Sequence, residues 1–350
     1  MRRALVIASI AATCLLSGAP AFAGAANGGL PGASASNPLA GMTWGKYQIP
    51  STDPGIDAPS AFFNSAHSDA DRQAFAQILA QPRFRWFGAW IPTQHQGNKY
   101  GAREAAEKYI ETVTNGDPDI GVQMGIFRLK PFEHEACTRL PTGAEQADYK
   151  TWIREFAAGI GSARVALNLQ PDMPFTLCLP HRSQIELQMI AWTAKVFSAL
   201  PHTTVYIDAG AADWLKPSTA ASMLARAGIR DARGFSLNLT HYDSAARQVA
   251  YGKKIVALLA RRGIKDKHVV VNTAQSGRPF TTQAHEHEFK VATVCKSRSS
   301  HACVTLGEKP AIKSGAVDAY LWLGRPWINN ATVRSYDEVL QLVRTSPFFG

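Results

Sequence analysis

The chain has 350 residues, 37 Lys and Arg against 27 Asp and Glu, and a formal net charge of +10. Its basic residues are scattered, with RRGIKDK and KSRSS as small clusters and no nucleic-acid motif beside them, which argues against a nucleic-acid partner. Beyond the first 23 residues no apolar run is long enough to span a bilayer.

In chain order, MRRALVIASIAATCLLSGAPAFAG places two arginines before an apolar stretch and a small-x-small site at Ala21-Phe22-Ala23. That is the pattern of a secretory signal peptide over 1–23. Cleavage after Ala23 removes Arg2, Arg3 and Cys14, leaving 327 residues with a charge of +8. The mature chain is expected to be soluble, monomeric and secreted, to the periplasm or the exterior, with no membrane contact. Residues 24–40, rich in Gly, Ala, Ser and Pro, read as a flexible lead-in. Residues 41–350 show no linker or repeat and read as a single domain. Four cysteines remain, Cys137, Cys178, Cys295 and Cys303. An even count in an exported chain predicts two disulfides. Of the three pairings the sequential one is expected, Cys295 with Cys303 closing the basic loop KSRSSHA.

Strand-like and helix-like segments then alternate. RFRWFGAW (83–90) precedes REAAEKYIETV. Segment 120–127 leads through a cysteine loop to ADYKTWIREFAAGI. RVALNL (164–169) precedes SQIELQMIAWTAKVFSAL. Segment 203–207 is followed by STAASMLARAG, and GFSLNL (234–239) by ARQVAYGKKIVALLARRG. VVVN (269–272) and AVDAYLW (316–322) complete the series. Continuous apolar strands separated by amphipathic helices predict an α/β fold with a parallel sheet. Seven such units predict a distorted, seven-stranded, TIM-like β/α barrel, whose site lies where strand C-termini meet their loops.

Those positions carry Trp86 and Trp90, then Glu133, His134 and Glu135, then Asp172, then Asp208 and Trp214. Asn238, His241 and Tyr242 follow the fifth strand, and Asn272, Gln275 and Ser276 the sixth. Arg325, Trp327, Asn329 and Asn330 follow the last. Carboxylates and amides bond hydroxyls while indole faces pack on the C–H faces of a sugar, so the inventory suits a polyhydroxylated ligand. Phosphate chemistry lacks a Gly-rich loop here, and a serine nucleophile lacks its G-x-S-x-G turn. HEHE (285–288) contains metal-ligating residue types but reads as a solvated loop or strand edge, and the cluster Glu133, His134, Glu135 could ligate a metal but is not read as a metal site, so no metal is expected. An Asp after a strand can also cap the following helix, the alternative for Asp172 and Asp208.

Taken in order, NPLAG, AQPRFRWFGAW, QPDMPF, VYIDAGAADWL, GFSLNLTHY, NTAQSG, LGEKP and DAYLWLGRPW resemble the motif series of family-6 glycoside hydrolases, the inverting cellulases. The resemblance runs from Asn37 onward. It implies hydrolysis of a β-linked, cellulose-like β-1,4 glucan with inversion, a poly- or oligosaccharide partner, and no cofactor. It also implies Asp172 as general acid, Asp208 as a substrate-site carboxylate, and Trp214 and Trp86 as sugar platforms on either side of the cleavage point. Trp90, Asn238, Tyr242, Asn272, Gln275, Trp327 and Asn330 complete the expected substrate contacts.

Several positions depart from the family pattern. Ala136 replaces the Asp before Cys137 that tunes the acid and relays a proton, so Glu133 or Glu135 is the expected substitute. Gln170 stands for Glu, Ala211 for His, Asn272 for Asp and Gln275 for Arg. In WLGRPWINN, Gly324 replaces Lys, Ile328 replaces Glu and Asn330 replaces the Asp proposed as base. An amide does not accept a proton at neutral pH. The readings that follow are a hydrolase with a rearranged base, acting on a cellulose-like glucan or shifted to a different polysaccharide, and a glycan-binding protein that has lost turnover.

Overall fold

The computed structural model describes residues 37–46, 52–329 and 331–349. The segment 1–23 expected as a signal peptide, most of the expected lead-in, and Asn330 lie outside the described residues. The strands are β1 (Thr43–Trp44), β2 (Arg85–Gly88), β3 (Ile120–Phe127), β4 (Val165–Leu169), β5 (Thr203–Asp208), β6 (Gly234–Leu237), β7 (His268–Asn272), β8 (Ala311–Ile312) and β9 (Val317–Leu321), with a small hairpin of β10 (Ile328–Asn329) and β11 (Thr332–Val333). The main sheet runs β1-β3-β4-β5-β6-β7-β9-β8, and β2 also pairs with β3. From β2 through β9 every pairing is parallel; β8 alone is antiparallel. The seven expected strands are therefore present, joined by a short β1 beside the N-terminal half of β3 and by β8 on the far edge.

The helices are α1 (Pro54–Asn64), α2 (Asp69–Leu79), α3 (Ala102–Thr114), α4 (Gly143–Ile160), α5 (Ile185–Ser198), α6 (Pro217–Arg226), α7 (Ala245–Arg261), α8 (Glu286–Val291) and α9 (Tyr336–Arg344). Capping boxes start two of them: Thr142 and Glu145 exchange bonds at α4, and Ser335 and Glu338 at α9. Each satisfies donors that a helix start leaves bare. No helix among the described residues is long and apolar enough to cross a membrane.

Strand residues alternate between two cores, as a curled sheet requires. Val122, Met124, Leu167, Val205, Ile207, Phe235 and Val269 face the helices, while Ala166, Tyr206, Val270 and Ala319 face inward. A third cluster lies beneath α1, α2 and α9. The curl does not close by strand pairing between β2 and β9. Two hydrogen bonds bridge that seam: Phe84 N–H to the Trp322 carbonyl at 3.0 Å, and the Trp86 indole N–H to the Leu323 carbonyl at 2.8 Å.

At the opposite end of the curl, buried Asp318 accepts from the Tyr206 hydroxyl at 2.7 Å and from two guanidinium nitrogens of Arg233 at 2.9 Å. Asn37 donates to the Asp318 carbonyl at 2.7 Å, and Leu39 is fully buried. The lead-in expected over 24–40 is thus too long at its C-terminal end, because 37–40 are fixed to the barrel floor. Both expected disulfides form, Cys137–Cys178 and Cys295–Cys303.

Candidate active site

The site begins where β4 ends. Gln170 takes a positive φ of 51°, and its side-chain oxygen accepts from the backbone N–H of Arg128 and of Leu129, both at 3.2 Å. The amide thereby ties the exit of β4 to the exit of β3, which is what the residue at this position does here. Two residues on, Asp172 sits in the left-handed region, φ 61° and ψ 26°. Non-glycine residues rarely occupy that region, and such strain gathers at functional sites. Asp172 precedes the 3₁₀ turn Met173–Cys178, but its side chain makes no cap bond. The capping alternative therefore fails, and the carboxyl is left for other work. Thr240, from the loop after β6, donates to it at 2.6 Å.

Burial pushes the Asp172 carboxyl up to about 7; the Thr240 bond works against that rise, and the charge of Glu133 adds to it. Asp208, at the end of β5, is 1% exposed. It accepts from Gly210 N–H at 3.1 Å and from the Ser236 hydroxyl at 3.3 Å. Burial first, and then the charge of Asp172, holds Asp208 well above the usual carboxylate range. Like charges in a dry pocket cannot both ionise cheaply, so the pair retains a proton near neutrality.

Glu133 lies at φ 49° in the 3₁₀ turn Glu133–Cys137. Cys137–Cys178 staples that turn to the one Asp172 begins, with the two Cα atoms 4.7 Å apart. Sequence expectation and geometry agree in bringing Asp172, Asp208 and Glu133 together. Glu135 departs from it: the side chain is exposed and pairs with Arg139 at 2.9 Å, drawn outward by a cation already shared with Glu145.

Trp214 stands just beyond Asp208, its ring 5.4 Å from that of His241. Gly210 makes room for it: a Cβ there would lie 2.8 Å from the indole, and the φ of +75° suits glycine. The fully buried His241 is 2.8 Å from Asp213, fixing the loop that carries Trp214. On the other side a cavity of about 480 Å³ is lined by Trp86, Trp90 and Trp327, among others. Trp86 packs 5.9 Å from Phe127, Phe127 packs 5.1 Å from Phe132, and Phe132 precedes Glu133. One row of aromatic rings thus separates this groove from the acid loop. Trp90 is 52% exposed, whereas Trp327 is buried with Arg83 5.1 Å over its ring.

Four expected sugar contacts are engaged elsewhere. Asn238 and Asn272 are fully buried. Asn272 donates to the Asn238 carbonyl at 2.9 Å and accepts from Leu323 and Gly324 N–H at 3.0 Å, so it staples the ends of β6, β7 and β9. Asn238 donates to the Asp243 carbonyl at 2.8 Å. Gln275 is buried and donates to the His241 carbonyl at 3.2 Å. Tyr242 stacks on Phe280 at 4.9 Å. A Cβ at Gly324 would fall 2.2 Å from the Gln275 side-chain oxygen, so the long side chain of the family pattern has been exchanged for a packed amide. Trp327 likewise fills core rather than presenting a platform.

Thr240, Ser236 and Asp213 went unnoticed in the sequence. Each is a single polar residue beside a motif, and only the curl of the sheet aims it at a carboxylate or a histidine.

Residues 56–327 match the family described as Glycosyl hydrolases family 6. The chain belongs to that family. It is 30% identical over 254 residues to Endoglucanase 1 of Streptomyces halstedii, covering 71% of this chain and 73% of that one. Endoglucanase A of Cellulomonas fimi is 27% identical over 263 residues, of which the chain spans 52% of the relative's length. Among solved structures, the endoglucanase Cel6 of Mycobacterium tuberculosis, bound to methyl-cellobiosyl-4-deoxy-4-thio-β-D-cellobioside, superposes with a TM-score of 0.70 at 21% identity, covering 88% of this chain and 98% of that one. The family-6 fold thus accounts for the curled parallel sheet.

Proposed function

We propose that this family-6 hydrolase cleaves a β-1,4-linked glucan by single displacement, with inversion at the anomeric carbon. Asp172 gives its proton to the glycosidic oxygen while water attacks the opposite face of the sugar. The observation that carries this reading is a strained, uncapped Asp172 whose carboxyl is pushed up to about 7. A general acid needs its proton at working pH and must lose it in the transition state. Glu133 supplies the carboxylate that Ala136 lacks, its charge adding to burial in keeping the acid protonated, and Asp208 holds the substrate. Trp214 and Trp86 provide surfaces on either side. Glu135, committed to Arg139, is left out. Two disulfides in the fold support export, since such bonds persist in oxidising compartments.

The test is incubation with soluble β-glucans, comparing the wild-type chain with Asp172→Ala. A fall of about 10²–10⁴ in turnover is expected, with glycan binding retained. First-formed product should carry the α-anomeric configuration by NMR. Binding by the wild-type chain without product from any glycan would overturn the hydrolase reading in favour of a glycan-binding role.

A further inference from the structure

The outer surface of the barrel is unevenly charged. On α3 bases are matched by acids, Arg103 with Glu107 at 2.9 Å and Lys108 with Glu111 at 2.7 Å. Helix α7 lacks that balance: its 17 residues, AARQVAYGKKIVALLAR, include no Asp or Glu. Near its start, Arg247 turns back to Asp243 at 3.5 Å. Lys253, Lys254 and Arg261 are exposed, as are Arg262 and Lys265 just beyond the helix. None of these five has an acidic partner among the described residues. Arg230 reaches the same end of α7 through its bond to the Gly263 carbonyl at 3.3 Å. Asp231 and Asp266 are the exposed acids adjoining these residues in sequence, and two carboxylates do not offset six bases. The undescribed residues, 1–36, 47–51, 330 and 350, include no Asp or Glu that could make up the difference. A helix macrodipole favours cations in the last turn, which accounts for Arg261 and Arg262. Lys253 and Lys254 lie about two turns earlier, beyond its reach.

We infer that this face of α7 is a docking surface for an acidic polysaccharide, a polyuronate-like chain with carboxylates along its length. The row of cations runs about 12 Å from Lys253 to Arg261 and continues into the turn that follows. Among the described residues the exposed large apolar side chains are Trp90, Tyr100, Leu140, Val291 and Phe348, none of them on α6 or α7. The face therefore offers no wedge for a bilayer and no ring on which a nucleic-acid base would stack. A row of unpaired cations does suit a linear polyanion, which gives up condensed counterions as it binds. In preferring a polysaccharide to other polyanions, the inference rests on the β-glucan reading of the opposite rim. Helix α7 descends from that rim, so the cluster occupies its middle and its floor end, away from Asp172. A polymer held there leaves the cleft open and keeps the chain concentrated beside its substrate.

The probe is polygalacturonate, with binding to the wild-type chain followed by affinity electrophoresis. Affinity should fall by about tenfold between about 50 and 200 mM salt. Combining Lys253→Gln, Lys254→Gln and Lys265→Gln should weaken binding by about tenfold at low salt. The same change at Lys150, Lys195 and Lys296, exposed on other elements, should leave it nearly intact, which separates this face from net charge. Turnover of a soluble cello-oligosaccharide should be equal in the wild-type chain and both triple variants. The inference is overturned by no binding at low salt, by an equal loss in the two triple variants, or by displacement of polygalacturonate with a cello-oligosaccharide. Tighter binding of duplex DNA or of phosphatidylglycerol vesicles would overturn it in favour of those partners. Binding is read without turnover, so a wild-type chain that releases no sugar would sink the hydrolase reading alone.

Discussion

Asp172 is governed by two neighbours that act in opposite directions. The Thr240 hydroxyl stabilises the ionised carboxylate, whereas Glu133 opposes it. If Asp172 must be protonated to act, the alkaline limb of the pH–rate profile follows its ionisation. Thr240→Val removes a stabilising bond from the charged form, so the limb should move upward by about one pH unit. Glu133→Gln removes a negative charge and should move it downward. The two kcat profiles check this, and a shift of both variants in the same direction would show that another group sets the limb. Asp172 and Asp208 stood out in the sequence as candidates because each lies at or just past the C-terminal end of an apolar strand, Asp208 closing β5 and Asp172 three residues beyond β4. Asn238 and Asn272 sit at equivalent strand ends, yet their amides are consumed by backbone groups of neighbouring strands. A sequence does not distinguish an amide facing ligand from one stitching strands together.

Among the elements, the disulfide-stapled pair of 3₁₀ turns has the largest consequence for chemistry. Cys137–Cys178 joins segments 41 residues apart and holds the Glu133 turn against the Asp172 turn. Replacing both cysteines with serine should cost about 2–4 kcal/mol of stability. Activity should fall further than stability explains, and the alkaline limb should drop as Glu133 moves away. Calorimetry beside a pH–rate profile separates the two effects; a stability loss with an unmoved limb would mean the staple serves the fold alone. The strand series was readable because parallel strands buried on both faces are continuously apolar, as in VALNL and HVVVN. Short edge pieces such as β1 and β8, two residues each, carry too little pattern to be seen. HEHE was expected as loop or strand edge, but the segment from Glu286 forms the short helix α8, joined by a Lys290–Glu286 pair at 2.7 Å.

For the molecule as a whole, several carboxyls keep protons that the unfolded chain would release. Asp172 is pushed up to about 7, Asp208 well above the usual range, and Glu186 up to about 8, burial being the first cause in each. Between about pH 4 and 8 the folded state therefore binds more protons than the unfolded state, and stability falls as pH rises through that window. Glu145 works in the other direction: its bond to Arg139 holds it at about 2, so its contribution is present above the ordinary carboxylate range and lost on acidification. The Tm should accordingly peak near pH 5 and decline toward pH 8, and Glu186→Gln should flatten the decline. A Tm that climbs steadily from pH 5 to 8 would contradict this.

The seam between β2 and β9 adds a consequence of its own. Trp86 closes it with the same indole that floors the groove, so whatever settles on that ring also steadies the join. Occupancy of the groove and local opening of the seam are then thermodynamically linked. Hydrogen–deuterium exchange at the Phe84 amide, which bonds across the seam to Trp322, should slow when a saccharide is bound, while amides in the middle of β4 stay at their ligand-free rates. The seam of the barrel would serve as an internal reporter of ligand, readable without any turnover.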